Sequence, residues 1–170
     1  MSDTIIPTTV WVVDTSVLVA GLLTPNPESP PARLLDAMLG GEVRFLLCVE
    51  LLAEYRTVLL RQRIRSRHGL SVAEVDALLE ALATDAIVVG IAGRNETAPD
   101  PGDNFLWQLL AARSGAGLIT GDSALLERPP PRTRVISPRA CTRKRTCADR
   151  HACWYRQGFG SSASPTTSDQ

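Results

Sequence analysis

Four places in this chain put acidic side chains where carboxylate chemistry is conceivable. Asp14 follows the apolar run at residues 10–13, and Asp122 follows the run at 117–120 after a single glycine. Both runs are short and apolar, as buried strands are. In open parallel α/β sheets, ligand sites lie beyond the carboxyl ends of the strands, so the two carboxylates are expected on one rim. The competing reading is that each aspartate caps the next helix or holds a turn, a common use of Asp. Glu54 lies three residues after Leu51 and four before Val58, at the border of an apolar helical stripe. A carboxylate there is costly unless it is paired or bound to a cation. It could also be a snorkelling side chain or a salt bridge to Arg33 or Arg56. The fourth place is Asp100-Pro101-Gly102-Asp103-Asn104, just before Phe105, Leu106, Leu109 and Leu110. Any of Asp100, Asp103 and Asn104 could be the N-cap, but the remaining oxygen donors exceed what capping needs. The helix macrodipole is positive at that end, so other carboxylates would have to outweigh it for a cation to bind.

Rival chemistries lack their residues. The two histidines, His68 and His151, stand outside these stretches, and a Ser–His–Asp triad has no support. A dehalogenase-like phosphatase would want Asp-x-Asp at the first strand, and Asp14-Thr15-Ser16 lacks the second Asp. Arg56, Arg61, Arg63, Arg65 and Arg67 follow Glu54 closely and could meet phosphates. The plainer alternative is a solvated helix end, with arginines near the negative end of the macrodipole.

The elements that must position these side chains alternate. Strands are predicted at residues 10–13, 43–48, 86–91, 117–120 and 134–136. Helices are predicted from residue 17 to 23, over 32–39 up to Gly40-Gly41, over 49–64, from a Ser71/Glu74 capping box to about Thr84, and over 103–113. Residues 24–31 and 92–102 read as loops rich in proline, glycine and polar residues. Strands alternating with helices predict an α/β fold, a three-layer α/β/α arrangement with a mainly parallel central sheet.

Composition bounds the rest. At 170 residues the chain has room for one domain with a hydrophobic core. Residues 1–140 are expected to form that domain, and 141–170 a basic, disordered tail rich in Ser, Thr and Gly. The zero net charge hides an asymmetry. Residues 1–131 hold ten Arg against sixteen acids, a balance of −6, whereas residues 132–170 hold eight Lys or Arg against two acids, a balance of +6. Tail residues such as Arg143, Lys144 and Arg145 would add non-specific affinity for nucleic acid. Cys48 reads as a small core residue. Cys141, Cys147, His151 and Cys153 match no ordinary zinc-finger spacing. The first thirteen residues carry no Lys or Arg, unlike a signal peptide, and no apolar run approaches the ~20 residues of a spanning helix. A cytoplasmic protein away from the membrane is the expectation.

The motifs, taken in order, resemble the PIN-domain nucleases. Val12-Val13-Asp14-Thr15-Ser16-Val17-Leu18 resembles the first PIN motif, although Ser16 stands where the family usually has Asn. Leu51-Leu52-Ala53-Glu54-Tyr55 resembles the helix carrying the second acid. Asp100-Pro101-Gly102-Asp103-Asn104-Phe105-Leu106 resembles the Asp-Pro-x-Asp-Asn/Asp element of VapC-type toxins, and Ala116-Gly117-Leu118-Ile119-Thr120-Gly121-Asp122 the closing strand with Thr-Gly-Asp. Alignment back from Asp122 puts Asn104 at the usual third position. Asp103 beside it is the better anionic ligand, with Asn104 able to add a carbonyl oxygen and Asp100 a further alternative.

The resemblance implies that Asp14, Glu54, Asp103 and Asp122 hold Mg²⁺ or Mn²⁺ and hydrolyse RNA phosphodiester bonds, leaving a 5′-phosphate and a 3′-hydroxyl. Thr120 and Ser16 would orient the ligands. It further implies the toxin of a toxin–antitoxin pair, with an antitoxin partner and room for a homodimer. Two other readings stand beside it: a catalytically weak PIN module that binds RNA or protein, and an unrelated α/β ligand binder whose acids are caps.

Overall fold

The computed structural model of the protein describes residues 9–142. Five short parallel strands form its centre: β1 (Trp11–Val13), β2 (Leu46–Leu47), β3 (Ile87–Val88), β4 (Gly117–Ile119) and β5 (Arg134–Ile136). β4 pairs with β1 on one edge and β5 on the other, while β2 pairs with β3. A parallel bridge between Trp11 and Phe45, with the Trp11 N–H donating to the Arg44 carbonyl at 3.0 Å, places β2 on the open edge of β1. The strands thus lie in the order β3-β2-β1-β4-β5. Val12, Val13 and all of β4 are buried without polar alternation, as both-sided coverage of a parallel sheet requires.

The helices are α1 (Thr15–Leu23), α2 (Pro30–Leu39), α3 (Val49–Leu60), α4 (Gln62–His68), α5 (Val72–Asp85), α6 (Asn104–Ala111), α7 (Ser123–Glu127) and α8 (Pro138–Thr142). With the sheet they make the predicted α/β/α arrangement of three layers. The chain runs outward from β1 to β2 and β3, then returns to β4 and β5 on the other side of β1. That reversal puts the topological switch point between β1 and β4, and a doubly wound sheet binds its ligands at the carboxyl ends of such strands.

The close approach of α1 and α2 depends on Gly21. A Cβ at Gly21 in α1 would stand 2.6 Å from the Pro31 carbonyl oxygen, so α1 and α2 could not keep their present approach. The Gly21→Ala variant is expected to lose about 1–3 kcal/mol, as overpacking does, read as a lower urea midpoint with an unchanged slope.

The structure differs from the sequence reading in three places. The single helix expected over 49–64 is broken at Arg61, whose backbone leaves the helical region at φ −57°, ψ 129°. No glycine or proline marks the break. The buried stripe of α3 (Leu51, Tyr55, Leu59) ends there, α4 buries none of its own side chains, and the bend lets Leu60, Ile64 and Leu70 lie against the core. The strands expected over 43–48 and 86–91 pair only through Leu46–Leu47 and Ile87–Val88. α7 and α8 were not anticipated. The expected tail lies outside the described residues except for Cys141 and Thr142, which close α8.

Candidate active site

Three hydroxyls and a phenol organise the carboxyl ends of β1 and β4. Thr120, fully buried at the end of β4, donates to Asp14 Oδ2 at 2.7 Å, and its oxygen accepts the Asp122 backbone N–H at 3.0 Å. Ser16 donates to the same Asp14 oxygen at 2.9 Å. The Asp14 N–H donates to the Ile119 carbonyl at 2.9 Å, tying β1 and β4 together where the acid stands. Thr15, also buried, donates to Glu54 Oε1 at 3.4 Å. Thr15 and Thr120 are the buried polar side chains of the described core, and each spends its hydroxyl proton on a candidate acid. The Tyr55 hydroxyl donates to the Val13 carbonyl, one residue before Asp14. Burial, with the charges of Asp14, Cys48 and Glu54 adding to it, pushes that phenol well above its ordinary pKa, so Tyr55 stays a neutral donor.

The acidic loop divides its work. Asp100 Oδ1 accepts the Gly102 N–H at 2.9 Å and caps the 3₁₀ turn Pro101–Asp103. Asn104 Oδ1 accepts the Ala98 N–H at 2.8 Å and anchors the loop. Asp103, at the N-cap of α6, makes no side-chain capping bond. Partial burial raises its pKa, and the charges of Asp14, Asp100, Glu54 and Asp122 raise it further. Thr120 links Asp14 to the Asp122 backbone, and Thr15, next to Asp14 in the chain, reaches Glu54. Asp122 does act as a cap: its Oδ1 accepts the Ala124 N–H at 2.8 Å at the head of α7. Asp14 does not cap α1, at whose N-cap it stands. Arg56, one candidate partner for Glu54, turns instead to Asp76 with a two-pronged ion pair at 2.7 and 3.1 Å.

Like charges on one rim repel, and Asp14, Glu54 and Asp122 each face a hydrogen-bond donor rather than one another. Among the described residues no three His, Cys, Asp or Glu side chains are drawn up as a finished metal cage. The donor set nonetheless suits a hard divalent cation. It is all carboxylate oxygen, it is self-repelling at Asp103, and it leaves Asp103 without a capping role.

The sequence model of the PIN domain matches residues 10–124, more than half of the chain. The chain belongs to the PIN-domain family. PIN domains are generally nucleases, and the match spans β1 to the head of α7, taking in Asp14, Glu54, Asp103 and Asp122. No curated protein matches the chain. No helix among the described residues is long and apolar enough to cross a membrane.

Sequence reasoning on this PIN domain named Tyr55 only as the residue after Glu54 in the second motif and gave it no role. The available signal was a phenol on a fully apolar stripe, which needs a partner once buried. Cys48, expected in the core, is buried there, and its sulfur also accepts the Leu51 N–H at 3.4 Å at the head of α3. The raised pKa of Asp103 carries a sign. An acid whose folded pKa lies above its unfolded value costs stability as pH rises through that window, and the cost persists above it. Asp103→Asn is therefore expected to raise the melting temperature of the metal-free protein at neutral pH. The gain should vanish once pH falls below the ordinary carboxylate range, in melts run with chelator across pH.

Proposed function

We propose that this PIN domain is a metal-dependent endoribonuclease whose acidic rim hydrolyses RNA phosphodiester bonds. The observation that carries the reading is Thr120, buried at the end of β4, whose hydroxyl donates to Asp14 at 2.7 Å and accepts the Asp122 N–H at 3.0 Å, so that two acids meet at adjacent strand ends. Carboxylates crowded in this way are stabilised by a cation, and an anionic substrate could not approach them without one. Asp14, Glu54, Asp103 and Asp122 would hold Mg²⁺ or Mn²⁺. Such an ion lowers the pKa of bound water and offsets charge on the phosphate. The chain's own contribution is placement. Thr120 and Ser16 fix one oxygen of Asp14. Tyr55 holds the backbone just before Asp14. Thr15 steadies Glu54. Asp100 and Asn104 shape the loop, leaving Asp103 without a capping bond.

The finer reading is the toxin of a toxin–antitoxin pair, of the VapC type, opposed by a cognate antitoxin. Its support is the order and spacing of the four motifs. The test is incubation of a mixed single-stranded RNA pool with the purified chain across an Mg²⁺ and Mn²⁺ titration. Cleavage leaving 5′-phosphate and 3′-hydroxyl ends, silenced by EDTA and restored by metal, is expected. Cleavage that persists in EDTA, or RNA binding with no cleavage under either metal, would overturn the catalytic reading.

A further inference from the structure

Between Arg56 and Glu74 the chain carries four arginines, Arg61, Arg63, Arg65 and Arg67, and not one acid. All four are exposed. The acids that follow along the chain are already committed. Asp76 takes both prongs of Arg56, and Glu74 closes the capping box, accepting the Ser71 N–H at 2.7 Å. Of α4 only Ile64 packs, in part, against the core, so packing does not account for its arginines. Hydrogen bonds hold the turn that follows it. His68 links the Leu59 carbonyl to the Leu70 N–H, Gly69 ends the helix at φ +72°, and Arg65 Nε donates to the Leu70 carbonyl at 3.3 Å. The helix leans on α1 and α3, the two helices that carry Ser16 and Glu54. Arg61 stands seven residues beyond Glu54, roughly 10 Å along a helix axis. Rich in arginine and short of counter-charge, this surface continues the helix that carries Glu54.

We propose that Arg61, Arg63 and Arg67 form a docking surface for the phosphate backbone of single-stranded RNA, away from the repelling acidic rim. The proposal rests on the nuclease reading and adds to it where the substrate is gripped. Guanidinium groups fork onto phosphate oxygens. The rim repels the strand, so affinity must come from elsewhere on the surface, and α4 supplies it. Contacts of this kind carry no base preference and position the strand without selecting the cleavage sequence.

The test uses the full chain and a labelled oligouridylate in EDTA, so that nothing is cut, with anisotropy followed across a KCl titration. The triple variant R61Q/R63Q/R67Q is compared with R61K/R63K/R67K. Arg65 is left alone because it braces the turn after α4. If each arginine meets one phosphate, the glutamine variant loses about 2 from the log–log salt slope and binds roughly tenfold more weakly at low salt. The lysine variant keeps most of the slope. A slope unchanged by the glutamines overturns the proposal, as does a lysine variant that loses as much as the glutamine one. An unchanged RNA slope with lost binding to poly-glutamate would assign the arginines to an acidic protein instead, and so also overturns it. Parallel cleavage assays with metal keep the two readings apart. Absent cleavage with a lost slope sinks the nuclease and spares the docking surface, whereas normal cleavage with an unchanged slope does the reverse.

Discussion

Asp14→Asn is expected to lose metal-dependent RNA cleavage by on the order of a thousandfold or more, about 4 kcal/mol of transition-state stabilisation. The fold should survive, because Asn keeps an oxygen to accept the Thr120 and Ser16 hydroxyls, at 2.7 and 2.9 Å in the wild type. What Asn cannot supply is the negative charge at the point where β1 and β4 part. Asp14 is fixed there by its own backbone bond to Ile119 and by Tyr55 behind it, so no neighbouring acid can move in to replace it. Asp103 is different. It sits between Asp100 and Asn104, both of which offer oxygens after a local rearrangement. Asp103→Asn should therefore weaken cleavage less than Asp14→Asn. Cleavage rates of both variants against metal concentration, with circular dichroism to confirm folding, decide the point. Full activity in Asp14→Asn would remove the basis of the mechanism.

Thr120→Val should produce the second large effect. The substitution keeps shape at a fully buried site but deletes a hydroxyl that both donates to Asp14 and accepts from the Asp122 backbone. Leaving the Asp122 N–H without this partner is expected to cost about 1–3 kcal/mol of stability. Activity should fall roughly 10- to 100-fold, the usual cost of removing a group that orients a metal ligand. Thr120 acts through Asp14, so the loss should appear as a higher metal concentration for half-maximal rate. Thr120→Ser, which restores the hydroxyl, should recover most of it. A Thr120→Val enzyme with wild-type metal dependence would show that the hydroxyl serves stability alone.

Much of this arrangement is legible in the residues themselves. Short apolar runs ending at Asp14 and Thr120-Gly121-Asp122 mark adjacent strand ends, because a parallel sheet covered on both faces must be built from such runs. The Ser71/Glu74 spacing marks the start of α5, and both reciprocal bonds of its capping box are present. The division of labour in the loop is not legible. Asp100, Asp103 and Asn104 are interchangeable as N-caps by type, and only the bonds to Gly102 and Ala98 separate cap and anchor from Asp103. Asp122 shows that capping and site geometry are not exclusive, since it caps α7 while its charge reaches Asp103. The break at Arg61 left no trace either. Its cause is the end of a buried stripe and the redirection of Ile64 and Leu70 onto the core, which is a property of the packed molecule.

The central claim is that the rim holds the divalent cation used for cleavage. It is met most directly by anomalous diffraction from crystals of the full chain soaked in Mn²⁺, recorded at the manganese edge. A peak bonded to Asp14 and to at least one of Glu54, Asp103 and Asp122, and lost in Asp14→Asn, is the predicted result. Manganese bound only elsewhere on the protein, or a rim that stays empty at concentrations supporting cleavage, would contradict it.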